Sequence, residues 1–179
     1  MTTICRLLDL PKVSRPDAIA AIARIFLAAS AVRSFANDAA KATFQERWLG
    51  RYLAHDRGLV FVAIGDDGAV CGYLAGCFDD PARTPRFADI GFFADFAHLT
   101  PAFPAHLHVN LDASARSGGI GSRLVEAFVD AARAALLPGV HVVTGKGARN
   151  AGFYKRLRFV ERGSTMSHGK EIVFLGRVL

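Results

Sequence analysis

The segment Arg116–Gly121, which reads RSGGIG, constrains the fold of this chain more than any other. It follows a strand pattern with apolar residues at Leu107, Val109 and Leu111, and it precedes an amphipathic helix pattern at 124–135. Three glycines in four residues allow positive φ angles and remove the side chains that would keep an anion from the main chain. Because a helix follows at once, its unpaired N–H groups point to the same place. The segment therefore predicts a phosphate-binding loop.

The spacing of these glycines excludes two common nucleotide-binding loops. A Walker A loop has a lysine after its last glycine, and no lysine follows Gly121. The dinucleotide pattern GxGxxG is also absent. What the chain has is R-x-x-G-x-G between a strand and a helix, followed further along by GFYKRLRF at Gly152–Phe159.

These two segments, together with AHLHVNL at 105–111, resemble the acetyl-CoA site of the GNAT family of N-acetyltransferases. The resemblance covers roughly residues 59–162 and does not extend to residues 1–58. It implies an α/β fold with a mixed, mostly antiparallel central sheet, helices on both faces and splayed central strands. It also implies direct transfer of an acetyl group from acetyl-CoA, as cosubstrate, to a primary amine within a ternary complex.

The order of the apolar segments predicts the same class of fold, because strands alternate with helices after an initial hairpin with the turn Gly65–Gly68. Predicted strands lie at 3–10, 59–64, 70–77, 107–111, 140–143, 159–162 and 171–175. One predicted helix begins after Ser14, and a second covers 39–55. A third follows the glycine segment and ends near Leu136, and a fourth covers 151–157. The length of 179 residues predicts a single domain, and the resemblance implies that this domain, residues 1–179, is an N-acetyltransferase.

Residues 78–105 interrupt this pattern with four prolines and six phenylalanines. A long segment of this kind inside a domain is usually functional. Three roles are compatible with its apolar rings: a lid or wall over the substrate, a contact between the subunits of a homodimer, and packing over the sheet.

Composition restricts the function classes. The net charge is +6, but the basic residues are scattered, which disfavours nucleic acid as a partner. The three cysteines form neither a CxxC nor a zinc-binding pattern, so we expect buried thiols, a cytoplasmic location and no metal. The apolar segment 18–32 contains Arg24, and Pro16 and Asp17 precede it, which favours an amphipathic helix over a signal peptide or a membrane segment.

The resemblance implies where the coenzyme binds. The main chain of the central strand would hold the pantetheine arm, the glycine loop would hold the pyrophosphate, and the segment around Tyr154 would contact the coenzyme near its sulfur. The residues assigned to these contacts are Val109, Asn110, Leu111, Arg116, Ser117, Gly118, Gly119, Ile120, Gly121, Ser122, Asn150, Phe153 and Tyr154.

The resemblance also implies the catalytic groups. Tyr154 corresponds to the tyrosine that donates a proton to the departing thiolate in many relatives. The resemblance constrains the identity of the general base less. His106, His108 and Asn110 lie on one face of the predicted strand. His108 is chosen because an imidazole titrates near neutral pH. His106 and Asp112 are the next candidates, and a water chain without a protein base is a further alternative.

Three positions depart from the family pattern. Arg158 replaces the glycine that usually ends the helix of Tyr154, Gly147 replaces an asparagine, and Ala113 replaces a proline. If Arg158 is left-handed, the cost is about 1 kcal/mol. Two alternatives to a small-amine acetyltransferase therefore stay open: a non-catalytic acyl-CoA-binding sensor, and a dimeric protein-interaction module.

Overall fold

The computed structural model describes residues 2–116 and 118–179, and the predicted Ser117 contact lies outside them. The described strands are β1 Thr3–Arg6, β2 Val60–Ile64, β3 Val70–Cys77, β4 Ala105–Leu111, β5 Gly139–Gly145, β6 Val160–Ser167 and β7 Lys170–Val178. The described α-helices are α1 Arg15–Ala29, α2 Asp38–Gln45, α3 Arg51–His55, α4 Phe92–Asp95, α5 Ile120–Ala134 and α6 Arg149–Arg156. Among the described residues, no helix has both the length and the apolar character needed to cross a bilayer.

The described strands form one mixed sheet in the order β1-β2-β3-β4-β5-β7-β6. The pairs β1–β2, β2–β3, β5–β7 and β6–β7 are antiparallel. β4 and β5 are parallel and pair at Ala105↔Val140 and His106↔His141, whereas β4 continues to Leu111 and β5 to Gly145. The predicted mixed, mostly antiparallel sheet is therefore confirmed.

The chain forms two compact units, which are described one at a time. The first unit comprises Met1–Gly76 and His108–Phe128, and the second comprises Cys77–Leu107 and Val129–Leu179. The assignment of residues 1–179 to one functional domain stays a prediction.

In the first unit, α1 begins after Ser14 as predicted, with Pro16 in its first turn. The Ser14 side chain makes no capping hydrogen bond. The buried side of α1 consists of Ala18, Ile22, Ile25 and Phe26. α2 and α3 together cover the predicted helix at 39–55, but a π-helical turn at Glu46–Gly50 joins them.

In the second unit, the phenylalanines of segment 78–105 form a core. Phe87, Phe93, Phe96 and Phe103 are all buried, and Phe96 and Phe103 pack against Phe174. This burial matches the packing alternative for the segment.

Two backbone features of the second unit bear on the sequence analysis: the conformation of Arg158 and the lengths of β6 and β7. Arg158, which follows α6, has φ +65°, so it adopts the left-handed conformation for which a cost of about 1 kcal/mol was considered. β6 and β7 are longer than predicted, because a tight turn at His168 and Gly169, both with positive φ, joins them into a hairpin.

Candidate active site

The glycine loop meets α5 with exposed main chain. Gly119 has φ +74°, and the first backbone bond of the helix runs from the Arg123 N–H to the Gly119 carbonyl, so the N–H groups of Ile120, Gly121 and Ser122 have no acceptor within α5. A Cβ at Gly118 or Gly119 would meet no described atom within 4 Å. The main chain at these two glycines is therefore unobstructed by described atoms, and the binding of phosphate by this loop stays a prediction.

The charges near this loop favour an anion. The first turn of α5 contains no acidic residue, so no carboxylate on the helix competes for its positive end. Arg116 is exposed, and its Nη2 lies 3.5 Å from the Leu111 carbonyl oxygen to which it donates. Arg123 donates from Nη1 to the Thr2 carbonyl at 2.9 Å, which ties the first turns of α5 to the start of β1.

The end of β4 is fixed against β3. The Asp112 N–H donates to the Cys71 carbonyl at 2.9 Å, and Asn110 Nδ2 donates to the Tyr73 hydroxyl oxygen at 3.0 Å. Gly72 allows this close approach, because a Cβ there would lie 2.2 Å from a Leu111 methyl carbon. Val109, Asn110 and Leu111, the predicted pantetheine contacts, are all half-buried.

His108 lies among aromatic rings. The ring centroids of Tyr52, Tyr73 and Phe26 are 5.2, 5.6 and 6.4 Å from its own, and the two tyrosines present their rings edge-on. Its Nε2 is buried and has no hydrogen-bond partner among the described residues. Burial lowers the pKa of His108 to about 4, so its imidazole is neutral at physiological pH.

The other two candidates for the base have different surroundings. His106 belongs to the second unit, where it is buried between Phe87 and Phe93, with ring centroids 4.7 and 5.4 Å away. The Asp112 carboxylate accepts two hydrogen bonds from Arg24, at 2.8 and 2.9 Å. Both oxygens of Asp112 are therefore engaged by the Arg24 guanidinium.

In the second unit, the predicted coenzyme contacts on α6 lie close to one another. Tyr154 is buried, and its ring centroid is 5.1 Å from that of the half-buried Phe153 and 5.6 Å from that of Phe159. Burial raises the pKa of the Tyr154 hydroxyl above its usual value. Asn150 is exposed, and its Oδ1 accepts a hydrogen bond from Thr144 Oγ1 at 2.8 Å.

Two residues around the predicted site, Tyr73 and Arg24, were not assigned to it from the sequence. A third, Tyr52, belongs with Phe44 and Trp48 to an aromatic stripe at four-residue spacing, which favours core packing and is also compatible with a substrate wall. Tyr73 contacts both His108 and Asn110, Tyr52 contacts His108, and Arg24 holds Asp112. The sequence carried a signal for Arg24, because it is the only charged residue in the apolar segment 18–32. The contact of Tyr73 with His108 joins distant parts of the sequence and left no local signal.

Comparison with known proteins adds to this geometry. A family model described as the acetyltransferase (GNAT) family matches residues 29–159. The crystal structure of SsHAT is similar with a TM-score of 0.70 and 21% sequence identity, over 99% of this chain and 98% of that one. The apo form of an agmatine N-acetyltransferase mutant has a TM-score of 0.67 and 13% identity, over 99% of each chain.

A third similar structure contains a ligand. A chain in the crystal structure of the NatC complex bound to Gag peptide and CoA has a TM-score of 0.62 and 12% identity, over 99% of this chain and 98% of that one. At these identities, the three structures show a common fold.

Proposed function

Since this chain belongs to the acetyltransferase (GNAT) family of enzymes, which use acetyl-CoA, we propose that it transfers an acetyl group to a primary amine of a small acceptor. The transfer is direct, within a complex that holds both substrates. The observation that carries this proposal is the start of α5, where three helical N–H groups and two unobstructed glycines lie together.

The residues present fit the pyrophosphate of the coenzyme. The N–H groups of Ile120, Gly121 and Ser122 would donate to its oxygens, and the positive end of α5 would stabilise its charge. Gly118 and Gly119 leave room for the phosphates to approach the main chain, and Arg116 would add a positive charge beside them. The predicted Ser117 contact belongs to the same loop.

The main chain of Val109, Asn110 and Leu111 would hold the pantetheine arm. An amide-bearing arm can pair with strand N–H and C=O groups in the way that an added strand does. In this proposal an N–H at Val109 or Leu111 also donates to the thioester oxygen, which gains negative charge during transfer. Phe153 and Asn150 would contact the coenzyme from α6.

His108 has a defined role in this scheme. Moving a proton from an ammonium group with a pKa of about 10 to an imidazole with a pKa of about 4 is uphill by ~8 kcal/mol. The acceptor must therefore react as the free amine. His108 Nε2 takes the proton, directly or through water, once bond formation to carbon has made the nitrogen acidic.

Tyr154 would donate its hydroxyl proton to the thiolate as the carbon–sulfur bond breaks. Its raised pKa makes this donation uphill in the resting protein, so the hydroxyl acts as the charge on sulfur develops. The products are the N-acetylated amine and free CoA.

The surroundings of His108 support an acceptor with an apolar group next to its amine, because Phe26, Tyr52 and Tyr73 surround the proposed base. Two of the similar structures point to different classes of acceptor: one is named an agmatine N-acetyltransferase, and the other is a complex bound to a peptide and CoA. A small amine and a peptide amino group are thus the two classes to compare.

Release of free thiol from acetyl-CoA tests the proposal directly. The panel of acceptors includes agmatine, arylalkylamines, alkylamines and short peptides with a free amino terminus. We expect turnover that depends on the acceptor and favours a small amine. Stabilisation by CoA without turnover on any amine would instead identify a non-catalytic acyl-CoA sensor, and peptide-only turnover would refute the small acceptor.

A further inference from the structure

The segment just before the glycine loop is tied to α1 by one ion pair. Arg24 Nη1 donates to Asp112 Oδ1 at 2.8 Å, and Arg24 Nη2 donates to Asp112 Oδ2 at 2.9 Å. The two residues are 88 positions apart in the sequence. A bidentate pair fixes the direction of both side chains, which a single contact between point charges does not.

Asp112 is also held through its main chain. Its N–H donates to the Cys71 carbonyl of β3, and its own carbonyl accepts the Ala115 N–H at 3.0 Å, closing the short turn that leads to Arg116. Asp112 is therefore the last residue fixed by the sheet before the chain enters the loop. Its side chain is the link between that point and α1.

We propose that Arg24 and Asp112, here named the loop anchor, position the glycine loop for coenzyme binding, a role that rests on the proposed function. Neither residue touches the coenzyme in this proposal. They hold the entry to the loop in one conformation, so that the N–H groups at the start of α5 meet the pyrophosphate without the loop having to be ordered on binding.

The exposure of the anchor separates this role from a general stabilising role. The Arg24 side chain is 59% exposed and that of Asp112 is 23% exposed. Exposed ion pairs contribute little to global stability. Breaking the pair should therefore weaken coenzyme binding while leaving the melting temperature nearly unchanged.

The sign of the charge change provides the sharpest test. Asp112→Asn removes a negative charge beside a site for an anion, so electrostatics alone predicts tighter binding of CoA. Loss of the anchor predicts weaker binding, by about tenfold, which corresponds to ordering one backbone residue on binding. Arg24→Gln should weaken binding to a similar extent.

The experiment measures the dissociation constant of CoA by titration calorimetry for the wild type, Asp112→Asn, Arg24→Gln and the double variant. Because both single changes break the same pair, the double variant should bind no more weakly than either one. Arg24→Lys, which keeps the charge and can donate to one carboxylate oxygen, should bind more tightly than Arg24→Gln. Arg33→Gln is the control, since it removes an exposed arginine just beyond α1 whose Nη1 donates to the Ala28 carbonyl.

The outcomes are distinct. CoA binding by Asp112→Asn that equals or exceeds wild-type binding would overturn the anchor and leave the proposed function intact. The same holds if Arg33→Gln weakens binding as much as Arg24→Gln, or if Arg24→Lys binds no better than Arg24→Gln. A wild-type chain that binds no CoA would overturn the proposed function and the anchor's role with it.

Discussion

Replacement of His141 by phenylalanine should remove part of the acid sensitivity of the fold. His141 is fully buried in the second unit, where its ring stacks on Phe174 with a centroid distance of 4.4 Å. Its Nδ1–H donates to the Phe103 carbonyl oxygen, and its Nε2 is buried without a hydrogen-bond partner among the described residues. Protonation would place a charge on that buried nitrogen, so burial lowers the pKa of His141 to about 4.

The sign of the effect follows from the two pKa values. In the unfolded chain the histidine has a pKa of about 6.5, above the folded value, so the unfolded state binds more protons between these two pH values. Stability is therefore fully present above pH 6.5 and falls as the pH decreases toward 4. Between pH 7 and pH 5 the loss from one such histidine is about 2 kcal/mol.

Urea unfolding at pH 7 and pH 5 measures this loss. The pKa of His108 is lowered as well, so the wild type should lose more stability than His141→Phe, and the two losses should differ by about 2 kcal/mol. The comparison uses the change with pH, because losing the hydrogen bond to Phe103 shifts the stability of the variant at both pH values. An equal loss in wild type and variant would refute the assignment of a buried, neutral His141.

Three further predictions concern catalysis and the backbone. Tyr154→Phe should lower acceptor-dependent thiol release by about a hundredfold with little change in CoA affinity, and an unchanged rate would remove its role as acid. The pH profile of kcat/KM should rise toward the pKa of the acceptor amine without an inflection near 6.5, since the pKa of His108 is about 4; an inflection near 6.5 that His108→Gln abolishes would contradict this. Arg158→Gly should raise the free energy of unfolding by about 1 kcal/mol, because φ is +65° there, whereas Arg156→Gly within α6 should lower it by a similar amount; equal effects in urea unfolding would refute the argument.

The sequence predicted those features that depend on local chemistry. The glycines at 118 and 119 and the apolar periodicity after them were sufficient to place the open loop at the start of α5. A left-handed conformation at Arg158 was considered because the family usually has a glycine there, and the φ of Arg158 is +65°. The hairpin of β2 and β3 followed from the turn Gly65–Gly68 between two apolar segments.

Other features depended on contacts that no local pattern contains. The low pKa of His108 comes from its burial among rings on α1, α3 and β3. The partner of Asp112, Arg24, is 88 residues away, so the sequence did not show this ion pair when Asp112 was considered as a base. The phenylalanines of 78–105 are apolar whether they face a ligand or a core, so the sequence left both alternatives open. The π turn at Glu46–Gly50 has the same apolar spacing as an α-helix and was predicted as one.

The affinity for CoA of the wild type and of Gly118→Asp tests the central claim most directly. Because a Cβ at Gly118 meets no described atom, the variant should fold normally, and Gly118→Asn controls for the size of the side chain. The carboxylate would repel the pyrophosphate at the start of α5. We predict that the wild type binds CoA and that Gly118→Asp binds at least about tenfold more weakly than Gly118→Asn, with an unchanged melting temperature. Equal affinities in the two variants, or no binding by the wild type, would contradict the assignment of this loop to the coenzyme.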